Sequence, residues 1–539
     1  MIIPTQYRKP KNIRALGATS ADGIPYVCVK ACKRAVWVPL ADFADNGKAA
    51  RTKLNAANIV LLNHDWKRCR DVVEALADFQ PKPILLRSGW SGCHFALPDG
   101  RVFSPTDGEA PVVLFDLHPF KCLRKGSAAT WYEGSDILED QFLLTFLVMT
   151  AFAAPLLSLT DRIGNIGFEL AGLKGLGKST AQQMVASATG GGVEQPGRNY
   201  WISGNTTPNG LETEFPVHND LPMIIEELNL YAAGESDRTR ATKIDELIFR
   251  LSDGTIKARH QAARQQPSRF IYVASTNVPL AQVLLGYRKE VSDAAADRLL
   301  TLPLNDREYG IFDSLPDGFV SGRQFAEHLT ALAAKHHGVA MPRFLRRLVA
   351  DRAQNEAKLK KRIQRYMIEF RKRVGVDENN GSATRVADAF GLVFAAGMLA
   401  KSYKALGGNL KCGKSALLAY ELNRSASSDA PSMVERLVKL AKSPDTLHID
   451  PDNLPDLDNE AFKALPAVLK RNAKGETELL LSAQAVDRAF PIRGLLFDDT
   501  GVAALLVRDK DRRKTVKRSL RAKHKAERVY CFRLPVGSI

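Results

Sequence analysis

The segment Gly172-Leu173-Lys174-Gly175-Leu176-Gly177-Lys178-Ser179-Thr180 constrains the fold more than any other stretch of this sequence. It satisfies G-x4-G-K-[ST] in full, and it lies between an apolar strand-like run, Gly167 to Ala171, and a helical stretch, Ser179 to Ala188. Gly172, Gly175 and Gly177 let the backbone turn so that successive N–H groups point at phosphate oxygens, and a helix N-terminus adds partial positive charge. Lys178 would reach the β and γ phosphates, Ser179 would ligate Mg²⁺ through its hydroxyl, and Thr180 completes the cofactor-binding set. Strand, glycine-rich loop and helix in this order predict an α/β P-loop domain that takes ATP and Mg²⁺.

Such a site also needs an acid to hold the metal and a base to position water, both at the end of an apolar strand. Leu221-Pro222-Met223-Ile224-Ile225-Glu226-Glu227 supplies them, Glu226 for the Mg²⁺ hydration shell and Glu227 for the attacking water. Pro222 is tolerated only at an edge or at the start of a strand. A second buried-type strand, Arg269 to Ser275, ends in polar residues. In P-loop ATPases with an additional strand, a side chain there bonds the water or the γ phosphate. Asn277 is the expected residue and Thr276 the second choice. Arg298 precedes a further apolar strand and would serve as an arginine finger in trans if subunits form a ring; a salt bridge to Asp293 or Asp297 is the alternative, and Arg288 is the reserve.

With 539 residues, 45% apolar and 25% charged, the chain has globular composition and the length of several domains. The expected divisions are an N-terminal α/β domain over 1–125, a P-loop domain over 126–310, an all-α lid over 311–410, and a linker with a basic, winged-helix-like module over 411–539. The formal net charge of +17 favours a polyanionic partner. Seven cysteines, scattered and odd in number, make no disulfide framework and fit a reducing, cytoplasmic setting. Cys28 and Cys32 have C-x3-C spacing, but adjacent Cys93-His94 is a poor second pair for tetrahedral zinc. The first residues lack the apolar core of a signal peptide. The long apolar run Phe142 to Leu159 is interrupted by Thr145, Thr150, Pro155 and Ser158, so it reads as a buried helix, with no membrane partner expected.

From Trp90 to Ala400 the chain resembles the family called domain of unknown function 927, ATPases found on bacterial mobile elements. The segments that carry the resemblance are Gly89-Trp90, the loop at 172–180, Asn209 to Glu212, Glu226-Glu227-Leu228, Leu251 to Arg259, and Arg385-Val386-Ala387 with Phe390 to Ala400. Glu226 departs from the family's Asp, and the first 85 residues carry no matching motif. Members on staphylococcal cassette elements resemble the minichromosome-maintenance class of AAA+ helicases. The resemblance therefore implies an AAA+ type, ATP-dependent DNA helicase or translocase, acting as a homo-oligomeric, hexameric ring on single-stranded or forked DNA, in replication of a mobile element. It also implies that Lys257, Arg259 and His260 lie on a channel hairpin that grips DNA phosphates, and that Arg385 senses the γ phosphate from the helical lid. By composition alone, 257–260 is equally a solvated basic turn, and Arg385 a helix-start charge.

Residues 508–528 hold eleven cationic and three anionic side chains. The expectation is a basic helix of a winged-helix module, with Lys514, Lys517 and Arg518 along a DNA groove; a solvated charge run is the alternative. Two other functions fit the same residues: an NTP-switched regulatory or defence ATPase without unwinding, and a DNA-binding initiator with a degenerate ATPase.

Overall fold

The computed structural model describes residues 12–534 apart from 21, 32, 106–109, 161–163, 192–199, 256–266, 287–296, 306, 377–378, 427–432, 451–453, 457, 473, 491–495, 498–499 and 522–525. The fold is mixed α/β. Strands β1 (Arg14–Thr19), β2 (Pro25–Ala31) and β3 (Arg34–Pro39) form an antiparallel meander, and β4 (Phe79–Pro81) adds parallel to β1, in the order β3-β2-β1-β4. Helices α1 (Lys48–Ala56) and α2 (Asn63–Glu74) cover one face, where Val27, Val29 and Val38 alternate inward against Leu54 and Trp66. Residues 58–62 form an extended connection between the two helices. Ile59 and Leu61 are buried while Val60 and Leu62 are exposed, the alternation of a strand without a ladder.

The N-terminal unit ends earlier than residue 125. From Ser88 onward the chain is anchored to the central domain, beginning with a small sheet of β5 (Gly89–Ser91), β6 (His94–Ala96) and β7 (Val102–Phe103). Ser88 Oγ donates to the carbonyls of Pro216 and Val217 at 2.8 and 2.7 Å. The Trp90 amide donates to the Asp220 carboxylate at 2.9 Å, and the Trp90 indole to Pro155 O at 2.8 Å. Gly89, at φ 85°, is required, because a Cβ there would lie 2.4 Å from the Asn219 amide nitrogen.

The central domain contains α3 (Phe142–Ala153), β8 (Ile166–Ala171), α4 (Lys178–Thr189), β9 (Ile202–Ser203), α5 (Pro208–Val217), β10 (Leu221–Glu226), α6 (Asp237–Asp253), β11 (Phe270–Thr276) and β12 (Leu299–Pro303). Its five strands are parallel, in the order β9-β10-β11-β8-β12. Thus β11 is inserted between the strand that leads into the glycine-rich loop and the strand that ends in Glu226. Alternation along β8 and β11 sends Phe168, Leu170, Ile271 and Val273 to one face, and Phe270, Tyr272 and Ala274 to the face covered by α5 and α6. Pro222 sits inside β10, yet it breaks no ladder. Short β9 pairs only as far back as Ile225, and the Pro222 carbonyl is met there by Tyr200 Oη at 2.7 Å and the His218 ring at 2.8 Å. N and C=O of one strand residue point the same way, so the missing donor faces that side too.

Helices α7 (Gly322–Lys335), α8 (Ala340–Val374), α9 (Gly381–Ser402) and α10 (Cys412–Ala426) follow. They do not form the separate lid expected over 311–410. α3 is apolar all round, and such a helix must be buried on every side. It lies between the sheet and these helices in one continuous core, with Phe146 against both Phe168 and Phe390 at ring distances of 5.1 and 5.3 Å. Of the apolar stretch Phe142–Leu159, 89% is buried inside the protein. α8 departs from helical geometry at Asn355, whose side chain accepts from the Lys358 amide at 2.9 Å and so caps the second half. In that half Ile363, Met367 and Phe370, at helical spacing, are buried, and Tyr366 is half-buried.

The C-terminal unit is a five-stranded sheet of β13 (Leu447–Ile449), β14 (Val468–Arg471), β15 (Thr477–Leu481), β16 (Val516–Arg518) and β17 (Glu527–Arg533), in the order β13-β14-β15-β17-β16. Helices α11 (Ala483–Ala489) and α12 (Thr500–Leu505) connect β15 to β16. The basic stretch is not the helix expected: residues 508–515 are irregular, and 516–518 pair antiparallel with β17. As a strand, Val516 enters a core with Leu520, Val529 and Cys531, while Lys517 points to solvent.

Candidate nucleotide-binding site

The C-terminal ends of β8, β10 and β11 lie at one edge of a parallel sheet, where ligands of open α/β folds bind. β8 runs directly into the loop, and Gly177, at φ 79°, is the left-handed residue before α4. A Cβ on Gly177 would lie 2.5 Å from Ile311 Cγ2, so the loop rests against the chain that follows β12. The Ile311 amide donates to Leu176 O and the Leu173 amide to Asn305 Oδ1, both at 2.9 Å. Asn305 and Ile311 therefore fix the loop from outside. Neither was legible in the sequence, since both follow the last strand of the sheet.

Lys178 Nζ donates to Gly172 O, to Leu173 O at 2.9 Å and to Asn277 Oδ1 at 3.3 Å. Burial lowers its pKa, the Glu227 carboxylate raises it, and Lys174 lowers it further, with a net fall. The structure thus gathers Lys178, Asn277 and Glu227 into one cluster. Glu226 ends β10, half-buried, and Glu227 turns away from the strand at φ 50°, an unusual conformation for a residue with a Cβ. The turn is held by the Glu227 amide donating to Ser275 Oγ at 3.1 Å. Ser179 is exposed at the start of α4, and Thr180 is half-buried beside it. Amides 174–177 carry no hydrogen bond to a described residue. These free donors, the Lys178 ammonium, the Ser179 hydroxyl and the Glu226 carboxylate are the donor set that a triphosphate with Mg²⁺ requires.

Thr276, the second choice beside Asn277, is committed elsewhere. Its hydroxyl donates at 3.0 Å to Glu169, a fully buried carboxylate in the middle of β8. Glu169 also accepts from the Leu280 amide at 2.8 Å and the Thr301 hydroxyl at 2.7 Å, and burial raises its pKa. A single acid inside an apolar strand is the only sequence trace of this position.

Two arginines are not brought to the loop. Arg298 lies at the start of β12, across the length of the sheet, with its guanidinium 4.8 Å from the Phe249 ring and 3.9 Å from Asp253. It pairs with Asp253 and not with Asp297. Asp297 takes Arg385 instead, at 2.6 Å, together with the Ser382 hydroxyl. Arg385 therefore stands at the edge opposite its own chain's phosphate loop, because α9 begins beside the start of β12. Lys257, Arg259, His260 and Arg288 lie outside the described residues. In the C-terminal unit Arg518 is bound through both nitrogens to Glu478 at 3.0 Å, Lys514 lies 4.8 Å from the Phe497 ring, and Lys517 is exposed on edge strand β16.

The fold is similar over nearly its whole length to a solved structure described as SCCmec type IV Cch, an active helicase. The match covers 99% of this chain and 95% of that one, at a TM-score of 0.55 and 13% identity. A second, the apo C-terminal region of NrS-1, aligns at a TM-score of 0.23 and 9% identity over 68% of this chain and 80% of that one. No curated protein matches the sequence. Residues 24–266 match the family described as domain of unknown function (DUF927), a match that runs from the N-terminal sheet, which holds none of the motifs that suggested the resemblance, through the glycine-rich loop and the acidic strand β10.

Proposed function

We propose that this chain is an AAA+ type ATP hydrolase that works as a ring-forming DNA helicase or translocase, in the cytoplasm, in replication of a mobile element. The observation that carries the reading is the cluster of Lys178, Asn277 and Glu227 at the ends of three neighbouring strands, with Ser179 and Glu226 beside it. Loop amides and Lys178 would hold the β and γ phosphates, and Glu227, with Asn277, would orient water toward the γ phosphorus. Ser179 and Glu226 would hold Mg²⁺, whose contribution when bound is to neutralise charge between the β and γ oxygens. Arg298, at the far edge of the sheet, would serve only the site of a neighbouring subunit in a ring. Arg385 would have to leave Asp297 to meet any nucleotide.

DNA contact is assigned to Lys257, Arg259 and His260, and to Lys514 and Lys517. Among the described residues α11 and α12 lie between β15 and β16, and β17 lies between those two strands, an order like that of a winged helix, so the basic residues would lie on the wing and not on a groove-binding helix. Forked duplexes test the reading: strand release that needs ATP and fails in Lys178→Ala is expected, while nucleotide binding without strand release would contradict it. The switch without unwinding is the second reading, favoured by the engagement of both Arg298 and Arg385 within one chain. The same assay separates the two.

A further inference from the structure

The N-terminal unit carries a cationic cleft that has no part in the nucleotide site. Between α1 and α2 lies an open cleft of about 350 Å³, lined by Lys48, Arg51, Thr52 and Asn55 from α1, by Trp66 and Arg70 from α2, and by the preceding turn. Lys48, Arg51 and Arg70 put three cations on the cleft wall and none of its lining residues is acidic, while Lys53 nearby is paired with Asp42 at 2.7 Å. The two guanidiniums are held by neutral oxygens: Arg51 donates to Leu61 O at 3.0 Å, and Arg70 to Asn46 Oδ1 at 3.2 Å. Neither is paired with a carboxylate among the described residues. The floor is rigid, since the Trp66 indole donates to Asn46 O at 3.2 Å and its ring stacks on Phe43 at 6.0 Å.

On the other side of Arg70 is a second hollow of about 220 Å³, bordered by Leu40, Phe43, Val73, Leu76 and Phe79 and by one acid, the exposed Glu74. Arg70 and the Phe43–Trp66 stack thus divide a cationic cleft from an aromatic and aliphatic one. Single-stranded nucleic acid is bound in this way, with phosphates in a positive groove and bases on sequence-tolerant aromatic faces. A duplex keeps its bases stacked inside and offers nothing for the apolar hollow. A free phosphate would use only the first cleft.

We infer that the N-terminal unit binds single-stranded DNA, with backbone phosphate at Lys48, Arg51 and Arg70 and an unstacked base in the hollow bordered by Phe43 and Phe79. The inference is independent of nucleotide hydrolysis, and it is tested in the full chain carrying Lys178→Ala, so that failure of the ATP site and failure of this site read out separately. Fluorescence anisotropy with a labelled oligothymidine, titrated over a salt series, is compared among the parent, Lys48→Gln/Arg51→Gln, and Phe43→Ala. Arg323→Gln, an exposed residue of α7 outside the N-terminal unit, is the control, and circular dichroism checks folding. Neutralising one phosphate-binding cation lowers the log–log salt slope by about 0.7, so the double variant should fall by about 1.4 and the control not at all. Phe43→Ala should weaken binding about five-fold or more at an unchanged slope. Because Phe43 also packs on Trp66, ultraviolet crosslinking of an iodinated oligonucleotide to peptides of residues 40–79 gives a readout that needs no variant. Equal slopes for the folded double variant and the control, tighter binding to duplex than to single strand, or crosslinks only outside residues 40–79 would each overturn the inference, as would inorganic phosphate competing as well as an oligonucleotide.

Discussion

Glu169 shows how one side chain reaches the site without touching substrate. It stands in the phosphate-loop strand, and it holds Thr276, the residue before Asn277, and the Leu280 amide just beyond. Glu169→Gln keeps an acceptor and should change stability by about 1 kcal/mol or less. Glu169→Leu leaves a buried amide and two hydroxyls unmade and should cost about 3 kcal/mol or more, read as the shift of the first urea transition. Turnover should fall with the second variant and hardly with the first. Glu214 is a half-buried acid, 3.0 Å from Lys121 and 3.4 Å from the His218 ring, both of which are buried. Burial pushes its carboxyl up, but His218 and Lys121 more than offset this and hold it down at about 2. An acid whose folded pKa lies below its unfolded value stabilises the fold above the unfolded pKa, and that contribution is lost as pH falls. Roughly 3 kcal/mol should disappear between about pH 4.5 and pH 2, and Glu214→Gln should remove that part of the acid-unfolding curve.

At the scale of elements, periodicity identified what packing decides. The apolar run from Phe142 read as a buried helix, and it is one, because a helix apolar on every side must be covered on every side. The strand, glycine-rich loop and helix at 166–189 and the strand ending in Glu226 were readable as elements for a different reason: few backbones accommodate that arrangement of glycines between an apolar run and a helix. Residues 508–518 misled because charge density says nothing of backbone conformation. Val516 gains a core only by pairing with β17, and Arg518 gains Glu478. A difference within the run follows. Lys514→Gln/Lys517→Gln should leave stability unchanged and weaken DNA binding with a shallower salt slope. Arg518→Gln leaves Glu478 buried without its cation and should lower the stability of this unit by about 3–5 kcal/mol, seen as an earlier melting step.

Across the whole molecule, contacts between side chains distant in the sequence set the divisions that composition could not. Trp90 joined to Asp220 and Pro155 moves the boundary of the N-terminal unit upstream, and Phe146 between Phe168 and Phe390 fuses the helices after residue 311 to the sheet. Asn305, Ile311 and Glu169 escaped notice for the same reason, since their roles exist only once distant strands are adjacent. Opposite edges of the sheet hold Lys178 and the pair Arg298 and Arg385, so in the function proposed above an arginine could complete the site only from a second subunit. The most direct test is steady-state ATP turnover with nucleotide binding, measured for the intact chain, Lys178→Ala and Glu227→Gln. The intact chain should hydrolyse ATP, the lysine variant should do neither, and Glu227→Gln should bind ATP with turnover reduced at least about a hundred-fold. Normal hydrolysis by Lys178→Ala would contradict the assignment of this loop.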